Sequence, residues 1–240
     1  MDFGLENKTV LVTGGTRGIG KSLVEAFLSL GANVIFTGQN YLQRPLSPKE
    51  TYYQVDFSLK ASIDKFIKKI ENHDIDVLIN NAGINAINPI AAFRDSDWDE
   101  IMSVNLTAPY RITKTVSGSM KARKAGKIVN VSSIYGLVGK SQRAGYCSSK
   151  FGIRGLTAAT AAELAQYNIL VNAVAPGFTL TDLTAEILGP DGIASISKSV
   201  PIGRLAQPDE IAKTIVFLSS DLNTYISGQT ITIDGGFVNV

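Results

Sequence analysis

Residues 8–20 read KTVLVTGGTRGIG, an apolar run that leads directly into a glycine-rich turn. The run is short and rich in β-branched residues, which is typical of a buried strand. Beyond the glycines, apolar side chains recur at helical spacing until Gly31, which marks the end of a helix. A helix N-terminus after such a turn binds a pyrophosphate through its backbone N–H groups and its dipole. The alternative is an ordinary glycine-rich turn between a strand and a helix.

The remainder of the chain alternates short apolar runs with helical patterns, which predicts an α/β fold. We expect further strands at residues 33–37, 51–55, 75–79, 127–132, 169–175 and 230–234, and helices at 61–70, 97–120, 146–167 and 208–218. Residues 41–50 contain Pro45 and Pro48 and form a poor helix. No linker or internal repeat divides the sequence. Residues 1–240 are therefore predicted to form a single domain, with a substrate lid at about residues 180–205.

One helical pattern, at residues 97–120, carries a polar residue among apolar ones. The apolar residues expected to face inward are Trp98, Ile101, Met102, Val104 and Leu106. Asn105 lies among them, and a buried asparagine needs hydrogen-bond partners. It is either a capped or water-bonded polar residue or a catalytic residue that holds a water molecule.

The composition narrows the classes of function. The net charge of +2 at pH 7 is too small to indicate a nucleic-acid partner or an anionic membrane surface. No run of 18 or more apolar residues is present, so we expect no membrane-spanning segment. The single cysteine, Cys147, allows no internal disulfide, and with the single histidine, His73, it cannot build a His/Cys metal site. We therefore expect a cytoplasmic protein without a metal site.

Tyr146 and Lys150 form the second informative pattern. They are four residues apart, so both side chains lie on one face of a helix that starts here. A lysine in that position favours the phenolate and lowers the pKa of the tyrosine, which suits an acid/base role. Ser133 follows the strand at residues 127–132, at the end where parallel sheets place their chemistry. The alternative is a tyrosine and a lysine on the surface of a helix.

These motifs resemble those of the short-chain dehydrogenase/reductase family over essentially the whole chain. The motifs are TGGTRGIG at residues 13–20, NNAG at 80–83, Asn105, Ser133, Tyr146 with Lys150, and Pro176-Gly177, in this order. The resemblance implies a single-domain Rossmann fold, in which a doubly wound seven-stranded parallel sheet in the order 3-2-1-4-5-6-7 carries helices on both faces. It also implies a nicotinamide cofactor and a homotetramer or homodimer, which we expect to form through the helices at 97–120 and 146–167.

The resemblance also implies roles for individual residues. Tyr146 would donate the proton in carbonyl reduction, Ser133 would orient the carbonyl, and Lys150 would bind the nicotinamide ribose and depress the pKa of Tyr146. Asn105 would hold a water linked to Lys150. The cofactor-binding residues would be Gly14, Thr16, Arg17, Gly18, Ile19, Gly20, Gly38, Gln39, Asp56, Phe57, Asn81, Ala82, Gly83, Tyr146, Lys150, Pro176, Gly177 and Thr179.

The resemblance also implies which part of the dinucleotide several of these cofactor-binding residues would contact. Gly14, Gly18 and Gly20 would line the pyrophosphate, and Asp56 would meet the adenine amino group. Asn81 and Gly83 would contact the adenosine ribose. Pro176, Gly177, Phe178 and Thr179 would frame the carboxamide.

The cofactor and the substrate are predicted from fewer residues. NADP(H) is favoured over NAD(H), because Arg17 could pair with a 2′-phosphate and no carboxylate is present at Gly38 or Gln39 to repel it. The most similar subgroup is the bacterial 3-oxoacyl-carrier-protein reductases, which implies a 3-oxoacyl thioester substrate. Residues 166–168, Gln-Tyr-Asn, lack the basic residue that this subgroup commonly has there. A free sugar, polyol or small ketone therefore stays open as a substrate.

A function of another class is a non-catalytic dinucleotide-binding sensor. Asn105, Ser133, Tyr146 and Lys150 together argue against it, because a sensor needs no such set. A nucleic-acid binder has only the weak positive charge in its favour. We therefore expect an enzyme whose partners are small molecules and further copies of this chain.

Overall fold

The computed structural model describes residues 2–239, apart from the side chains of residues 182, 183 and 187. Seven parallel strands form one sheet in the order β3-β2-β1-β4-β5-β6-β7, as predicted. The strands are β1 (Thr9–Val12), β2 (Asn33–Gly38), β3 (Glu50–Gln54), β4 (Val77–Asn80), β5 (Gly126–Val131), β6 (Ile169–Pro176) and β7 (Thr230–Ile233). The helices are α1 (Gly18–Ser29), α2 (Lys60–Ile70), α3 (Asp95–Met102), α4 (Ala108–Arg123), α5 (Ala144–Leu164), α6 (Asp182–Ser199) and α7 (Pro208–Ser219).

The sheet separates two hydrophobic cores, which confirms that helices cover both faces. Successive strand residues point to opposite sides, so Val10 and Val12 pack with α1 and α7 while Leu11 packs with α2, α4 and α5. Because both faces of the sheet are buried, the strands consist mainly of apolar residues, and apolar residues do not alternate regularly with polar ones. This arrangement brings the carboxyl ends of all seven strands to one edge, where the site lies.

The connection between β2 and β3 contains no helix. Residues 39–49 are irregular and almost all exposed, as the two prolines in this segment predicted. The end of the segment is held by Arg44, which forms a salt bridge with Glu50 at the start of β3. The guanidinium of Arg44 also lies 5.5 Å from the centroid of the Phe36 ring.

The helix predicted at residues 97–120 is divided into three parts. A π-helical turn, Ser103–Thr107, separates α3 from α4, and such turns contain one extra residue per turn. The prediction that Trp98 faces inward is wrong, since its side chain is 39% exposed. The first turn of α3 instead buries Asp97, which pairs with Arg94 at 2.6 Å. Ile101 and Val104 are buried as expected.

The predicted lid corresponds to α6, which begins at Asp182. Gly189 has a non-helical backbone conformation (φ 59°, ψ 179°) and Pro190 follows it, so the helix is kinked at this point. The expected short helical pieces are therefore two halves of one kinked helix. Within the described residues, no helix is long and apolar enough to cross a membrane.

Candidate active site

Two glycines of the glycine-rich turn at residues 14–20 occupy positions that exclude a side chain. Gly14 has φ of 68°, and a Cβ atom there would lie 3.0 Å from the Cα atom of Ala82. A Cβ atom on Gly20 would lie only 1.9 Å from the carbonyl oxygen of Gly14. The loop therefore packs closely against the residues after β4 and leaves the N-terminus of α1 open to a phosphate group.

The glycine loop is held by Thr13, a residue that the sequence analysis did not single out. Its buried Oγ1 accepts hydrogen bonds from the backbone N–H groups of Asn81 at 2.9 Å and of Ala82 at 3.0 Å. Asn81 Nδ2 donates in turn to the carbonyl oxygens of Thr13 at 2.9 Å and of Gly14 at 3.0 Å. Asn81 thus fixes the loop to the end of β4. A threonine directly between a strand and the glycines is the sequence signal that could have identified Thr13.

A groove of about 580 Å³ opens beside the glycine loop, at the carboxyl ends of the strands. Most of the predicted cofactor residues line it, namely Gly14, Thr16, Arg17, Gly18, Ile19, Gly20, Gly38, Gln39, Asp56, Phe57, Asn81, Ala82 and Gly83. Its lining also includes residues that were not predicted, namely Thr37, Asn40, Tyr41, Leu42, Val55, Ile84, Glu100, Val104 and Thr181. The size of the groove and the helix N-terminus within it suit a dinucleotide.

Asp56 and Gln39 interact with each other in this groove. Gln39 Nε2 donates to one oxygen of the Asp56 carboxylate at 3.2 Å, and the Ser58 hydroxyl donates to the other at 2.6 Å. The hydrogen bond from Ser58 holds the pKa of Asp56 below its ordinary value, so the group is charged at neutral pH. The contact of Asp56 with an adenine amino group stays a prediction, for which this carboxylate is a suitable acceptor.

Pro176, Gly177 and Thr179 lie at the end of β6 and do not line the groove. The N–H group of Gly177 donates to the carbonyl oxygen of Ile233 at 2.9 Å, and Thr179 forms a parallel bridge with Ala206. These contacts fix the segment that connects β6 to α6. Its role in framing a nicotinamide carboxamide stays a prediction.

Lys150 is buried, with 3% of its surface exposed, beneath the residues that line the groove. Its Nζ donates to the carbonyl oxygen of Val131 at 2.8 Å. A Cβ atom on Gly83, which lines the groove, would lie 3.4 Å from the same Nζ. Burial lowers the pKa of Lys150 from 10.5 to about 8. Lys150 therefore lies between Gly83 of the groove and the ring of Tyr146, whose centroid is 5.7 Å from Nζ.

Asn105 lies in the π-helical turn and is buried, with 1% of its surface exposed. Its Oδ1 accepts from the N–H group of Ile84 at 2.9 Å, while its Nδ2 donates to the carbonyl oxygen of Ile84 at 2.9 Å and to Ser149 Oγ at 3.0 Å. The side chain thus has protein partners at both ends, which supports the capped alternative for its amide group. Its predicted role in holding a water stays a prediction.

Ser133 and Tyr146 come from two neighbouring elements. Ser133 caps the 3₁₀ turn Ile134–Gly136 after β5, and its Oγ accepts from the N–H group of Tyr135 at 3.1 Å. Tyr146 lies in the first turn of α5. Burial raises the pKa of the Tyr146 hydroxyl, whereas a hydrogen bond with Ser133 and the charge of Arg143 act in the opposite direction.

The pKa of Tyr146 is raised overall, so burial outweighs the lowering that was predicted from Lys150. Lys150 Nζ lies 5.7 Å from the centroid of the Tyr146 ring, and its hydrogen bond goes to the backbone instead. The pair is nevertheless close, as the four-residue spacing predicted. Desolvation of the tyrosine hydroxyl exceeds the opposing effects of Ser133 and Arg143.

The arrangement suits acid/base chemistry on a carbonyl compound. Tyr146 and Ser133 both present hydroxyl groups that can donate to one oxygen atom, and Lys150 supplies a positive charge nearby. Among the described residues, no group of three or more His, Cys, Asp or Glu side chains is placed to hold a metal ion.

Comparisons with known proteins agree with this geometry. The family model described as short chain dehydrogenase matches residues 8–190. The 3-oxoacyl-[acyl-carrier-protein] reductase FabG of Haemophilus influenzae is 39% identical over 239 residues, which cover 97% of this chain and 98% of that protein. The structure of a gluconate 5-dehydrogenase from Burkholderia cenocepacia J2315 in complex with NADP and tartrate gives a TM-score of 0.87 at 30% identity, covering 100% of this chain and 98% of that one. The structure of ElxO with NADP bound gives a TM-score of 0.90 at 32% identity, and the match covers 98% of this chain and 100% of the ElxO chain.

The match to the family model includes the glycine loop and all four candidate catalytic residues. The relatives match this chain along nearly its full length, so the likeness extends beyond the dinucleotide-binding half. The protein therefore belongs to the short-chain dehydrogenase/reductase family and is an NAD(P)-dependent oxidoreductase.

Proposed function

We propose that the protein reduces the ketone of 3-oxoacyl thioesters with NADPH. The observation that carries this proposal is the convergence of Ser133 and Tyr146 beside the buried Lys150, in a chain 39% identical to a 3-oxoacyl-[acyl-carrier-protein] reductase. The nicotinamide dinucleotide supplies the hydride when it is bound.

Each of the chain's own residues has one task in this proposal. Tyr146 gives its proton to the carbonyl oxygen as negative charge develops there. Ser133 donates a hydrogen bond to the same oxygen and so orients the ketone. Lys150 favours the charged form of Tyr146 that remains after proton transfer, because it holds a cation nearby in surroundings of low dielectric.

A second candidate is the oxidation of a sugar acid or polyol. The observation that favours it is the structural likeness to a gluconate 5-dehydrogenase over the whole chain. The absence of a basic residue at positions 166–168 also removes one feature expected of a protein that docks an acidic carrier.

A substrate panel distinguishes these functions. The decrease in NADPH absorbance is followed with acetoacetyl thioesters, free 3-oxo acids and simple ketones. The increase in NADPH absorbance from NADP⁺ is followed with gluconate and polyols. We expect the highest kcat/KM with an acetoacetyl thioester. A higher value with gluconate would establish the second candidate, and no turnover of any compound would favour the non-catalytic sensor.

We further propose that NADP(H) is preferred over NAD(H). Arg17 lines the groove just before α1 and forms no salt bridge with the described residues. Arg17→Ala is expected to weaken NADPH binding by about 10–100-fold, with a much smaller effect on NADH, because a charged hydrogen bond to the 2′-phosphate is lost. The dissociation constants of both cofactors test this proposal. Lys21→Ala, which removes an exposed positive charge one turn further along α1, is the matched control.

Equal dissociation constants for NADPH and NADH in the unaltered protein, or tighter binding of NADH, would contradict the preference. A loss in Arg17→Ala that is equal for both cofactors would assign Arg17 to the shared part of the dinucleotide instead.

We also propose a homotetramer or homodimer formed through α3, α4 and α5. These helices carry the exposed aromatic side chains of Trp98, Tyr110 and Phe151, which are 39%, 50% and 43% exposed. Exposed apolar groups of this size support an interaction surface. Sedimentation at micromolar concentration should show a multiple of 25.6 kDa, and Phe151→Glu should shift it to smaller species. A species of 25.6 kDa alone in the unaltered protein would refute the proposal.

A further inference from the structure

Arg143 lies between the two elements that carry the catalytic hydroxyl groups. It directly precedes α5, one helical turn before Tyr146. Its guanidinium carbon lies 5.5 Å from the centroid of the Tyr135 ring, and Tyr135 belongs to the 3₁₀ turn that follows Ser133. The positive charge also acts on the Tyr146 hydroxyl, whose pKa it lowers. Arg143 does not line the dinucleotide groove.

The guanidinium has no polar partner among the described residues. Its side chain forms no salt bridge and no hydrogen bond there, although it is partly buried. Other partly buried arginines of the chain are paired, for example Arg111 with Asp64 at 2.6 Å. A partly buried guanidinium whose N–H groups have no protein acceptor can donate them to a ligand.

We propose that Arg143 is a specificity residue that binds the acyl oxygen of the substrate, on the carbon two positions from the ketone that Tyr146 protonates. Stacking on Tyr135 fixes the plane of the guanidinium and leaves its N–H groups at the edge free to donate. The acceptor is a carbonyl oxygen in a thioester and a carboxylate oxygen in a free 3-oxo acid. The inference rests on the proposed reduction of 3-oxoacyl compounds and names the feature by which they are selected.

The position of Arg143 beside Tyr146 explains how this residue can bind the acyl oxygen of the substrate. Arg143 directly precedes α5 and Tyr146 lies in the first turn of that helix, and the Arg143 charge acts on the Tyr146 hydroxyl, so both side chains can reach the same small molecule. In a 3-oxoacyl group, a single methylene carbon separates the two carbonyl carbons, each of which carries an oxygen. If Tyr146 and Ser133 hold the ketone oxygen, the acyl oxygen is the next acceptor available to Arg143. A simple ketone offers no such acceptor.

The test compares three substrates in variants of Arg143. Steady-state kinetics with saturating NADPH are measured for S-acetoacetyl-N-acetylcysteamine, acetoacetate and 2-pentanone. Arg143→Met should raise KM for the thioester by about 10–100-fold, the usual effect of losing a charged hydrogen bond, and should change kcat much less. The kcat/KM for 2-pentanone and the dissociation constant of NADPH should stay unchanged. Arg143→Lys should recover part of the loss, since lysine keeps the charge but not the planar donor set.

Lys140→Met is the matched control, because it removes an exposed positive charge from the same segment. It should leave all three substrates unaffected. A larger loss for acetoacetate than for the thioester would identify a carboxylate as the natural acceptor, and the reverse would identify a thioester; both support the proposal. Calorimetric titration of acetoacetate into the NADP⁺ complexes of the unaltered protein and of Arg143→Met compares their affinities for the acyl compound without turnover.

Two results would overturn the inference. One is an Arg143→Met variant whose KM and binding constants for both acyl compounds stay close to those of the unaltered protein. The other is an equal loss for 2-pentanone or a weaker affinity for NADPH, which would indicate a structural role. Turnover of 3-oxo acids but not of thioesters would refute the proposed thioester function alone. Turnover only of ketones that lack an acyl group would refute both.

Discussion

Replacing Tyr146 with phenylalanine should lower kcat by about 10²–10⁴-fold, the usual contribution of general acid catalysis. The ring and its packing remain, and only the transferable proton is lost. The affinity for NADPH should therefore change little, because the dinucleotide groove is lined by other residues. Single-turnover kinetics and a fluorescence titration with NADPH measure the two effects separately.

The matched control for this variant is Tyr225→Phe, which removes a phenol hydroxyl from a side chain that is 95% exposed. It should keep the kinetics of the unaltered protein. If Tyr146→Phe retained more than about a tenth of kcat while chemistry limits the rate, Tyr146 would not be the acid. Ser133→Ala should show a smaller loss in kcat at unchanged NADPH affinity, because its hydroxyl only orients the substrate oxygen.

Lys150→Met should impair two functions at once. The charge that favours deprotonated Tyr146 disappears, and so does the buried cation beneath Gly83 in the groove. We therefore expect both a lower kcat and weaker NADPH binding, each by at least about tenfold, the effect of one charged hydrogen bond. Unchanged NADPH affinity would show that Lys150 acts on the chemistry alone.

The same variant changes how the stability of the ligand-free protein depends on pH. The pKa of Lys150 falls from 10.5 in the unfolded chain to about 8 in the folded protein. Between these values the unfolded chain binds more protons than the folded protein, so the free energy of unfolding rises with pH, by about 3 kcal/mol in total. Urea titrations at pH 8 and pH 10 should show this rise in the unaltered protein and a smaller rise in Lys150→Met. An identical rise in both would contradict the lowered pKa.

The central strands of the sheet could be predicted from the sequence because they are mainly apolar runs followed by glycine, asparagine or serine, whereas the edge strands β3 and β7 also contain polar residues. Buried parallel strands have this pattern wherever they occur. The groove followed from the same reasoning, since its residues stand directly after strands. Tyr146 and Lys150 are joined by helical spacing, which a sequence shows directly.

Other features depend on contacts that a sequence does not show. Trp98 has the spacing of a core residue, but the first turn of α3 buries Asp97, which pairs with Arg94, and leaves Trp98 exposed. The partners of Asn105 are Ile84 and Ser149, which come from distant parts of the chain. The pKa of Tyr146 depends on how much protein surrounds its hydroxyl, and Arg143 is informative only because no described residue pairs with it.

The irregular connection at residues 39–49 allows one wall of the dinucleotide groove to vary without a change in the sheet. The segment contributes Gln39, Asn40, Tyr41 and Leu42 to the dinucleotide groove, yet it contains no helix and is almost entirely exposed. Substitutions or insertions there disturb little of either hydrophobic core, because exposed loops tolerate changes in length and composition. We therefore expect that substitutions in this loop can alter the contacts of the protein with its cofactor and leave Ser133, Tyr146 and Lys150 in place.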